Sequence, residues 1–432
     1  MQITPKILKG FRDFLPDGEI RRKQLVHILE DQFRLFGFVP IDTPVLEYAE
    51  VLLGKGGGET DKQVYRFEDH GNRDVAMRFD LTVPFARYMA MHRNELYLPF
   101  KRFHVNKVFR GENTQRGRYR EFMQCDFDIV GTETLSSDLD IILMIVSAFS
   151  ALGVPGVSVH ISHRGVFNQF LQVHGAAHQS EEILRVVDKL RKVGEEQTLQ
   201  TLTELTDRDT AKKTLAFINA DGTYQEILDT IEELSGGPGP ESTRLREIGE
   251  ALPELVPDNT VVLDPSITRG LDYYTGVVFE TFLTGAESIG SVCSGGRYDD
   301  LVSLYSRESM PGVGASIGLD RLLAALDELE VATGDTSAAE VLITMQDPDL
   351  TAHYHRIATV FRAAGVRAEV YPDPQKLGKQ FAFAERKGIP LAAICGPEER
   401  RKGTVNLRVL ATRENKEGLD LDHAIEAVRN LA

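Results

Sequence analysis

The chain has 432 residues, of which 42% are hydrophobic and 26% charged, and its formal net charge at pH 7 is −16. This length favours two or three globular domains over one hydrophobic core. No stretch approaches the roughly 20 apolar residues that a membrane-spanning helix needs, and the N-terminus has no continuous apolar signal segment. We therefore expect a cytoplasmic protein without membrane association.

The negative charge excludes indiscriminate nucleic-acid binding through a uniformly basic surface. The charge is unevenly spread, because the segment from Lys101 to Cys125 holds seven Lys or Arg against two Asp or Glu. Selective binding through a local basic patch therefore stays open. The cysteines, Cys125, Cys293 and Cys395, are more than 100 positions apart, which predicts buried thiols rather than a zinc site or a disulfide framework.

The N-terminal part begins with a predicted helix and a short strand. Asp17 is a suitable N-cap for an amphipathic helix that runs to Phe36, and Gly37 would end that helix. The segment 38–45 favours a strand that two prolines interrupt at an edge or a bend.

A glycine-rich loop at 54–61 precedes a predicted β-hairpin. The loop is not a phosphate-binding P-loop, because no Gly-Lys-Ser/Thr sequence closes it and no helix follows. A mobile flap and a plain surface loop both stay open. The segments VYRFED (64–69) and VAMRFDLTVP (75–84) predict two strands joined around Gly71.

The basic segment predicts a second hairpin, with strands KRFHVNKVFR (101–110) and REFMQCDFDIVG (120–131). Arginines that converge at its loop suit a polyphosphate and negative charge developing at phosphorus; a solvated charged loop is the alternative. The second strand favours a pocket, because its polar residues share one face. Those polar residues are Gln124, Asp126 and Asp128, placed beside Phe122 and Phe127, and the arginines are Arg110, Arg116, Arg118 and Arg120.

Helices and strands alternate less regularly in the remainder of the chain. Helical periodicity over 167–252 interrupts two regions of strand character and indicates an inserted helical module. After a linker at 331–339, alternating strands and helices predict a small α/β domain. Other predicted elements are a helix at 138–152, strands at 260–262, 274–282 and 291–301, and a glycine-rich strand leading into a helix over 311–326.

The octapeptide RGLDYYTG at 269–276 combines a permanent cation, a carboxylate and two phenols with two glycines. The planar guanidinium of Arg269 can clamp a carboxylate or a phosphate, and glycine lets the backbone approach a ligand closely. These residues alone leave two interpretations open. One is a site for a small charged substrate, and the other is a buried Arg–Asp pair with two packed tyrosines.

Several motifs in order resemble those of the histidyl-tRNA synthetase family of class II aminoacyl-tRNA synthetases. The FRGE hairpin (109–112) is similar to motif 2 and GVGASIGLDR (312–321) to motif 3, while RGLDYYTG and GGRYDDL (295–301) resemble the two histidine signature peptides. Details of RFDLTVPFARY and YREFMQCDFDIVG resemble the archaeal and eukaryotic branch. Other similar segments are KGFRDFLP (9–16), TPVLE (43–47, the dimer-forming motif 1) and KLGKQFAFAERKGIP (376–390).

This resemblance implies an α+β catalytic domain with an antiparallel sheet over 1–330, a helical insertion over 167–252 and a C-terminal α/β anticodon-binding domain over 339–432. It implies that ATP activates L-histidine to histidyl-adenylate, with Mg²⁺ on the ATP phosphates and no metal held by the protein. The histidyl group would then pass to the 3′ end of tRNA(His), and the enzyme would be a homodimer.

The resemblance also assigns roles to individual residues. Arg269 and Arg110 would be catalytic and lie on opposite sides of the α-phosphate, Arg269 doing what a metal ion does in related enzymes. Histidine would contact Asp80 and Thr82 through its α-amino group, Tyr273 and Tyr274 through its imidazole, and also Gln124, Asp128 and Arg269. ATP would contact Arg110, Glu112, Arg118, Phe122 and, through its γ-phosphate, Arg321.

Two regions are matched to tRNA with a plainer alternative beside each. Gln115 and Arg116 at the hairpin tip would lie near the acceptor end, or else form a disordered loop tip. Basic residues of the tail would face the anticodon, or else form a solvated helix face; they are Lys376, Lys379, Arg386 and Lys387. His160 and His163 show no metal-ligand pattern and are interpreted as structural.

Rival interpretations share the fold but not all the motifs. The regulatory subunit of ATP phosphoribosyltransferase would bind histidine without charging tRNA, yet it usually lacks the tail domain and the catalytic residues that are present here as Arg110, Arg269 and Arg321. Another class II synthetase, such as that for proline or threonine, is disfavoured by RGLDYYTG. A class I enzyme is disfavoured because the sequence contains neither HIGH nor KMSKS.

Overall fold

A computed structural model of the chain describes residues 3–54, 63–267, 274–306, 309–331 and 337–431. The chain divides into two compact units, Met1–Asp13 with Leu25–Ala332 and Phe14–Gln24 with Thr333–Ala432. The first unit carries an eight-stranded and a three-stranded sheet, and the second carries a five-stranded sheet. None of the helices in these described ranges has the length and apolar content that crossing a bilayer requires.

The strands, in chain order, are β1 (Val39–Pro40), β2 (Leu46–Tyr48), β3 (Arg66–Glu68), β4 (Asp74–Met77), β5 (Phe100–Phe109), β6 (Glu121–Val130), β7 (Val157–His163), β8 (Val261–Leu263), β9 (Val277–Leu283), β10 (Cys293–Tyr298), β11 (Gly312–Gly318), β12 (Val341–Ile343), β13 (Ala368–Val370), β14 (Leu391–Ile394), β15 (Val405–Val409) and β16 (Asn415–Leu419).

The α-helices are α1 (Pro16–Leu35), α2 (Ala49–Leu53), α3 (Thr82–His92), α4 (Leu135–Ala151), α5 (Arg164–Val173), α6 (Ser180–Val187), α7 (Leu190–Val193), α8 (Glu195–Leu205), α9 (Arg208–Ile218), α10 (Tyr224–Leu234), α11 (Pro240–Leu255), α12 (Leu319–Glu328), α13 (Thr351–Ala363), α14 (Leu377–Arg386), α15 (Pro397–Lys402) and α16 (Leu421–Leu431).

The eight-stranded sheet has the order β1-β5-β6-β11-β10-β9-β7-β8. Its inner neighbours pair antiparallel, and its two outermost pairs, β1 with β5 and β7 with β8, are parallel. The predicted α+β fold with a mainly antiparallel sheet is confirmed. A parallel pair needs a long crossover connection, and helices α5 to α11 form that crossover between β7 and β8.

The two faces of this sheet differ in chemistry because successive side chains on a strand point to opposite sides. On β6, Cys125, Phe127 and Ile129 belong to the main hydrophobic core, together with residues of α1 and α4. Gln124 and Asp128 therefore lie on the other face, which is polar. The sequence analysis placed Phe127 beside the pocket. That expectation was wrong, because Phe127 lies on the core face.

The chain after β4 departs from the sequence-based expectation. The predicted hairpin is present, since β3 and β4 pair antiparallel, but the expected strand over 75–84 ends at Met77 and a helix starts at Thr82. Asp80 supports the helix start by accepting a hydrogen bond from the Val83 amide at 3.1 Å. Pro84 is tolerated because it lies in the first helical turn, where amides have no partner within the helix.

Smaller differences occur at the N-terminus. Helix α1 begins at Pro16 and not after an Asp17 cap, as suits proline at a first helical position. The helix ends near Gly37, whose φ of 80° lies in the left-handed region that favours glycine. The expected strand over 38–45 is reduced to β1, which pairs with β5 for two residues.

The second unit is an α/β layer with a mixed sheet, in the order β13-β12-β14-β15-β16. Strand β12 pairs in parallel with β13 and β14, so the predicted alternation of strands and helices is confirmed. Helices α13 and α16 pack on the sheet through Tyr354, Phe361 and Val428. Strands β15 and β16 and helix α16 were not predicted.

Candidate active site

On the polar face of the eight-stranded sheet, glycines stand where larger side chains would collide with the polar groups of neighbouring strands. A Cβ at Gly314 would lie 2.1 Å from Asp128 Oδ1, and a Cβ at Gly296 would lie 2.8 Å from a ring carbon of Tyr274. Both distances are far below contact distance, so only glycine lets these polar side chains lie across the strands. The glycines of the predicted β10 and β11 motifs therefore form the floor of a site.

One end of this site gathers the residues expected to bind an amino group. Asp80 is buried at the start of α3, and its charge acts on Asp126 of β6. The Thr82 hydroxyl donates to Asp126 Oδ2 at 3.5 Å. The structure thus brings the predicted Asp80 and Thr82 together with Asp126, which the sequence analysis had placed on the right face without assigning it a role.

Gln124 lies two residues before Asp126 on β6, in the same site. Its Nε2 donates to the Ser316 hydroxyl at 2.9 Å, and its Oε1 is buried without a hydrogen-bond partner among the described residues. Ser316, on the adjacent strand β11, was not predicted. The alternation of Gly314, Ser316 and Gly318 on one strand face was the signal that could have indicated it.

Asp128 is held in a buried network within the protein. Its Oδ1 accepts a hydrogen bond from the Tyr298 hydroxyl at 2.7 Å, and its Oδ2 lies 2.6 Å from Nη2 of the fully buried Arg102. Burial raises the pKa of the Asp128 carboxyl, while the charge of Arg102 lowers it. Its oxygens thus already face protein partners. Tyr298 was missed as a site residue, although the GGRYDDL motif contains it.

Of the arginine and the two tyrosines in RGLDYYTG, the structure describes Tyr274. Tyr274 is half-buried and packs with a hydrophobic cluster that includes Phe85 and Tyr298. Arg269 and Tyr273 lie outside the described residues. Other observations therefore have to decide whether this octapeptide forms a substrate site or a buried structural pair.

The other end of the site gathers three predicted arginines. Arg321 is largely buried, and burial followed by the charges of Arg118 and Arg110 lowers its pKa to about 10. Arg110 donates through Nε to the Phe79 carbonyl at 2.8 Å, and its guanidinium lies 5.0 Å from the centre of the Phe122 ring. Arg321 donates to the Ser291 carbonyl at 2.9 Å. Three cations this close favour a polyanion.

Carboxylates border the arginine end. The charges of Glu112 and Glu280 oppose the lowering of the Arg321 pKa, so both lie near that guanidinium. Glu112 was predicted. Glu280 was not, although its place on the polar face of β9, opposite Ser294, could have indicated it.

The hairpin tip folds back on helix α12. Arg116 Nη1 lies 2.7 Å from Glu328 Oε2, and its Nη2 donates to the Ala324 carbonyl at 3.4 Å. Gly117 has a φ of 72°, and a Cβ there would lie 3.4 Å from Arg321 Cα. Gln115 and Arg118 exchange backbone hydrogen bonds. The tip therefore forms a turn that contacts α12.

The histidines interpreted as structural have partners within the fold. His160 Nδ1 lies 2.7 Å from Asp264 Oδ2, and His163 Nδ1 accepts from the Gly165 amide at 3.1 Å at the start of α5. Within the described ranges, no group of three His, Cys, Asp or Glu residues converges as a metal site would require. The three cysteines are buried and free, as predicted.

A mainly antiparallel sheet with an arginine-lined polar face and an appended mixed α/β domain is the architecture of a class II aminoacyl-tRNA synthetase. Residues 10–322 match the family model described as histidyl-tRNA synthetase, and residues 340–431 match that of an anticodon binding domain. The chain belongs to the histidyl-tRNA synthetase family.

Individual relatives agree with this assignment. A histidine–tRNA ligase of Treponema denticola is 52% identical over 394 residues, which cover 90% of this chain and 88% of that protein. The structure of histidyl-tRNA synthetase from Nostoc sp. PCC 7120 superposes with a TM-score of 0.90 at 32% identity, covering 99% of this chain and 100% of that one.

A third likeness concerns the fold alone. The structure described as an ATP phosphoribosyltransferase regulatory subunit/histidyl-tRNA synthetase from Bacillus halodurans has a TM-score of 0.75 at 21% identity, covering 91% of this chain and 99% of that one. These relatives are bacterial, so the expected likeness to the archaeal and eukaryotic branch is not supported. Short peptides within two motifs were too small a sample to assign a branch.

Proposed function

We propose that this protein is an ATP-dependent histidine–tRNA ligase, which forms histidyl-adenylate and then transfers the histidyl group to the 3′ end of tRNA(His). One observation carries the proposal. A single sheet face holds acceptors for an amino acid at one end, around Asp80 and Gln124, and clustered guanidiniums for a triphosphate at the other, around Arg321. Family membership supplies the identity of the amino acid and of the tRNA.

In the amino-acid end, Asp80 and Thr82 would bind the α-amino group, with Gln124 beside them. Gln124 suits this role because its Oε1 is a buried acceptor without a described partner. Tyr273 and Tyr274 would contact the imidazole, whose two ring nitrogens let the site reject side chains that cannot form the same hydrogen bonds. Asp128 would act beside Tyr298, which holds its Oδ1, and Arg269 would reach the carboxylate.

In the phosphate end, Arg110 and Arg269 would flank the α-phosphate and Arg321 would bind the γ-phosphate. Glu112, Arg118 and Phe122 would surround the adenine and the remaining phosphates. A histidine carboxylate oxygen attacks the α-phosphorus, the bond to the bridging oxygen breaks, and pyrophosphate leaves. Arginines already fixed by protein contacts, as Arg110 and Arg321 are, stabilise the developing charge without reorganisation.

In the transfer step, a terminal ribose hydroxyl of the tRNA attacks the adenylate carbonyl and AMP leaves. Mg²⁺ would accompany the ATP phosphates and screen their charge, with Glu112 and Glu280 as the carboxylates beside that region. Carboxylate oxygens are ligands that this ion accepts.

The domain roles follow the same proposal. Residues 1–330 would form the catalytic domain, interrupted by the insertion at 167–252, and residues 339–432 would bind the anticodon. The match of 340–431 to an anticodon-binding family supports the last assignment. Gln115 and Arg116 would lie near the tRNA acceptor end. We also propose a cytoplasmic location.

A homodimer is part of the proposal. Leu46 and Tyr48 of β2 and Phe67 of β3 are large apolar side chains that are about half exposed, at 46%, 51% and 46%. Clustered exposed apolar residues often mark an interface, and β2 begins within the motif 1 segment. Light scattering should give twice the chain mass, and Leu46→Asp should give the monomer mass.

The test of the activity is exchange of labelled pyrophosphate into ATP. We expect exchange that depends on histidine, followed by charging of tRNA(His) when the tRNA is added. Well-folded protein that binds histidine but supports no exchange would overturn the proposal and would instead favour the regulatory subunit.

A further inference from the structure

Asp126 is a buried carboxylate that no assigned role uses. Its side chain on β6 is 1% exposed. The Thr82 hydroxyl donates to its Oδ2 at 3.5 Å, and Ser316 is its cross-strand neighbour on β11. Its Oδ1 has no hydrogen-bond partner among the described residues. Leaving a buried acceptor without a donor costs free energy, so we expect a ligand to donate a hydrogen bond to this atom.

The atom lies inside the amino-acid end of the site. Alternation along β6 places Asp126 between Gln124 and Asp128 on the polar face, and β11 presents Ser316 opposite it. Gln124 donates to Ser316, which in turn contacts Asp126. A group bound between the start of α3 and β6 would therefore contact Asp126 directly.

The charges around Asp126 favour a cation. Three carboxylates meet here, those of Asp80 from the start of α3 and of Asp126 and Asp128 from β6, and two guanidiniums face them, those of Arg78 and of Arg102 from β5. His104, opposite Asp126 on β5, is neutral near pH 7, because burial followed by the charges of the two arginines lowers its pKa to about 3.

Neither arginine donates a hydrogen bond to Asp126 Oδ1, although Nε, Nη1 and Nη2 of Arg102 are themselves buried without a hydrogen bond among the described residues. Arg102 lies 2.6 Å from Asp128, and Arg78 donates to the Thr43 carbonyl at 2.6 Å and the Lys107 carbonyl at 3.0 Å. Asp126 Oδ1 thus remains an acceptor without a hydrogen bond from either arginine. A primary ammonium group supplies both a positive charge and an N–H donor.

We propose that Asp126 is a further histidine-binding residue, whose Oδ1 accepts a hydrogen bond from the α-ammonium group and whose charge selects the amino end of the substrate. The inference rests on the proposed function and adds a residue to the same site. Asp80 and Thr82 would then form one side of the ammonium site and Asp126 its floor.

A purely structural role would favour a different residue. Asparagine has the same shape as aspartate and no charge to desolvate, so a core position gains from it. Burial, helped by the charges of Asp128 and Asp80, raises the pKa of Asp126 to about 7. A residue that lowers stability inside a site is expected where function needs that residue.

The binding test uses the full chain and three probes. Histidine has both the amine and the carboxylate, histidinol keeps the amine but has a CH₂OH group in place of the carboxylate, and 3-(imidazol-4-yl)propionate keeps the carboxylate but lacks the amine. Calorimetry should show that Asp126→Asn weakens binding of the first two by about 10- to 100-fold and of the third by less than about 2-fold. Asp140→Asn, at a half-buried carboxylate of α4 that pairs with Lys101, is the control and should change none of the three.

Equal weakening of all three probes, or no weakening of any, would overturn the inference. These measurements require no catalysis, so they are independent of pyrophosphate exchange. Failure of exchange with intact, amine-dependent binding would count against the proposed enzyme and not against Asp126.

Stability gives a second readout, which tests whether Asp126 is a carboxylate that the fold desolvates. Because the pKa of Asp126 is higher in the folded than in the unfolded protein, its protonated form stabilises the fold at low pH, and this contribution is lost as pH rises through about 7. The melting temperature of Asp126→Asn should therefore rise relative to that of the parent as pH increases from 5 to 8.5. A difference between the two melting temperatures that is the same at every pH would show that Asp126 is not a desolvated carboxylate and would overturn the inference.

Discussion

Arg297 and Asp138 form a buried ion pair, in which Arg297 Nη2 lies 2.6 Å and Nε 3.1 Å from Asp138 Oδ1. Arg244 of α11 approaches the other oxygen of Asp138 at 2.8 Å. The backbone carbonyl of Arg297 accepts a hydrogen bond from the Thr275 amide at 2.8 Å. One carboxylate of α4 therefore connects the helical insertion, the GGRYDDL strand and the end of RGLDYYTG.

Asp138→Asn should destabilise the protein strongly, because it leaves the buried Arg297 charge without its partner. Breaking a buried pair in this way costs about 3–5 kcal/mol, measured as the free energy of unfolding in urea. Arg244→Met is the matched control. Arg244 is about a quarter exposed, so its removal should cost about 1 kcal/mol. Equal losses for the two variants would contradict the assignment of Arg297 as the principal partner.

Arg110→Ala should lower the rate of adenylate formation by about 10²- to 10³-fold, the usual effect of removing one preorganised donor. Arg269→Ala should lower that rate far more than histidine affinity. Single-turnover kinetics and histidine binding separate the two effects. Arg66→Ala, which removes an exposed arginine paired with Asp74, is the control and should keep the parental rate. Loss of histidine affinity with an unchanged rate would show that the transition-state role is wrong.

Arg116 offers a test of the hairpin tip. Arg116→Ala should leave pyrophosphate exchange unchanged and lower the rate of tRNA charging, because this arginine is proposed to contact the tRNA. Glu328→Gln removes the same ion pair but keeps the arginine. If both variants slow charging equally, the pair with Glu328 and not a tRNA contact explains the effect. Exposed pairs contribute about 0–1 kcal/mol, so neither change should unfold the protein.

His163 predicts an acid sensitivity of the fold. Burial, then the charges of Arg244 and Arg297, lowers its pKa to about 4. The folded state therefore holds this proton less tightly than the unfolded chain does, and the stability present above pH 6.5 is lost as pH falls towards 4. His163→Asn keeps an N-cap acceptor for the Gly165 amide and removes the titration. Between pH 7.5 and 5 the variant should lose less free energy of unfolding than the parent, by on the order of 1–2 kcal/mol.

The control for this titration is His178→Asn. His178 is exposed, and its replacement should leave the pH dependence of unfolding as in the parent. An unchanged pH profile for His163→Asn would show that other groups cause the acid sensitivity.

Changes in the tail are expected to affect tRNA charging and to leave adenylate formation intact. Lys376 and Lys379 are exposed next to and on α14, and changing both to glutamate should raise KM for tRNA while leaving pyrophosphate exchange intact. Lys402→Glu combined with Lys416→Glu, on α15 and β16 of the same unit, is the matched charge change. Equal effects of the two changes would favour general electrostatics over an anticodon surface on α14.

The parts of the fold that could be predicted are those with a strong local pattern. The hairpin of β5 and β6 and the step from β11 into α12 follow from alternation and from glycine placement. The start of α3 could not be predicted this way, because 75–84 alternates like a strand throughout. Asp80 accepts a hydrogen bond from the Val83 amide there, and that contact exists only once the chain has turned.

The candidate site shows the same division. Arg110, Arg118 and Arg321 were identified from motifs, and the fold brings their charges together. The ion pair between Arg116 and Glu328 spans 212 positions, so no spacing rule could indicate it. The faces of β6 were only partly predicted, because Phe127 was expected beside the pocket and lies on the face that helices α1 and α4 cover.

For this protein, sequence alone determined the motifs, their order and the residue types that chemistry needs, because those depend on the covalent chain and on local periodicity. The tertiary structure decided which polar atoms keep a protein partner and which do not. Asp128 and Asp126 are two positions apart on one strand face, yet Tyr298 donates to Oδ1 of the first, while Oδ1 of the second accepts no hydrogen bond in the described chain. Burial and long-range neighbours set that difference, and both arise only when distant strands pack together.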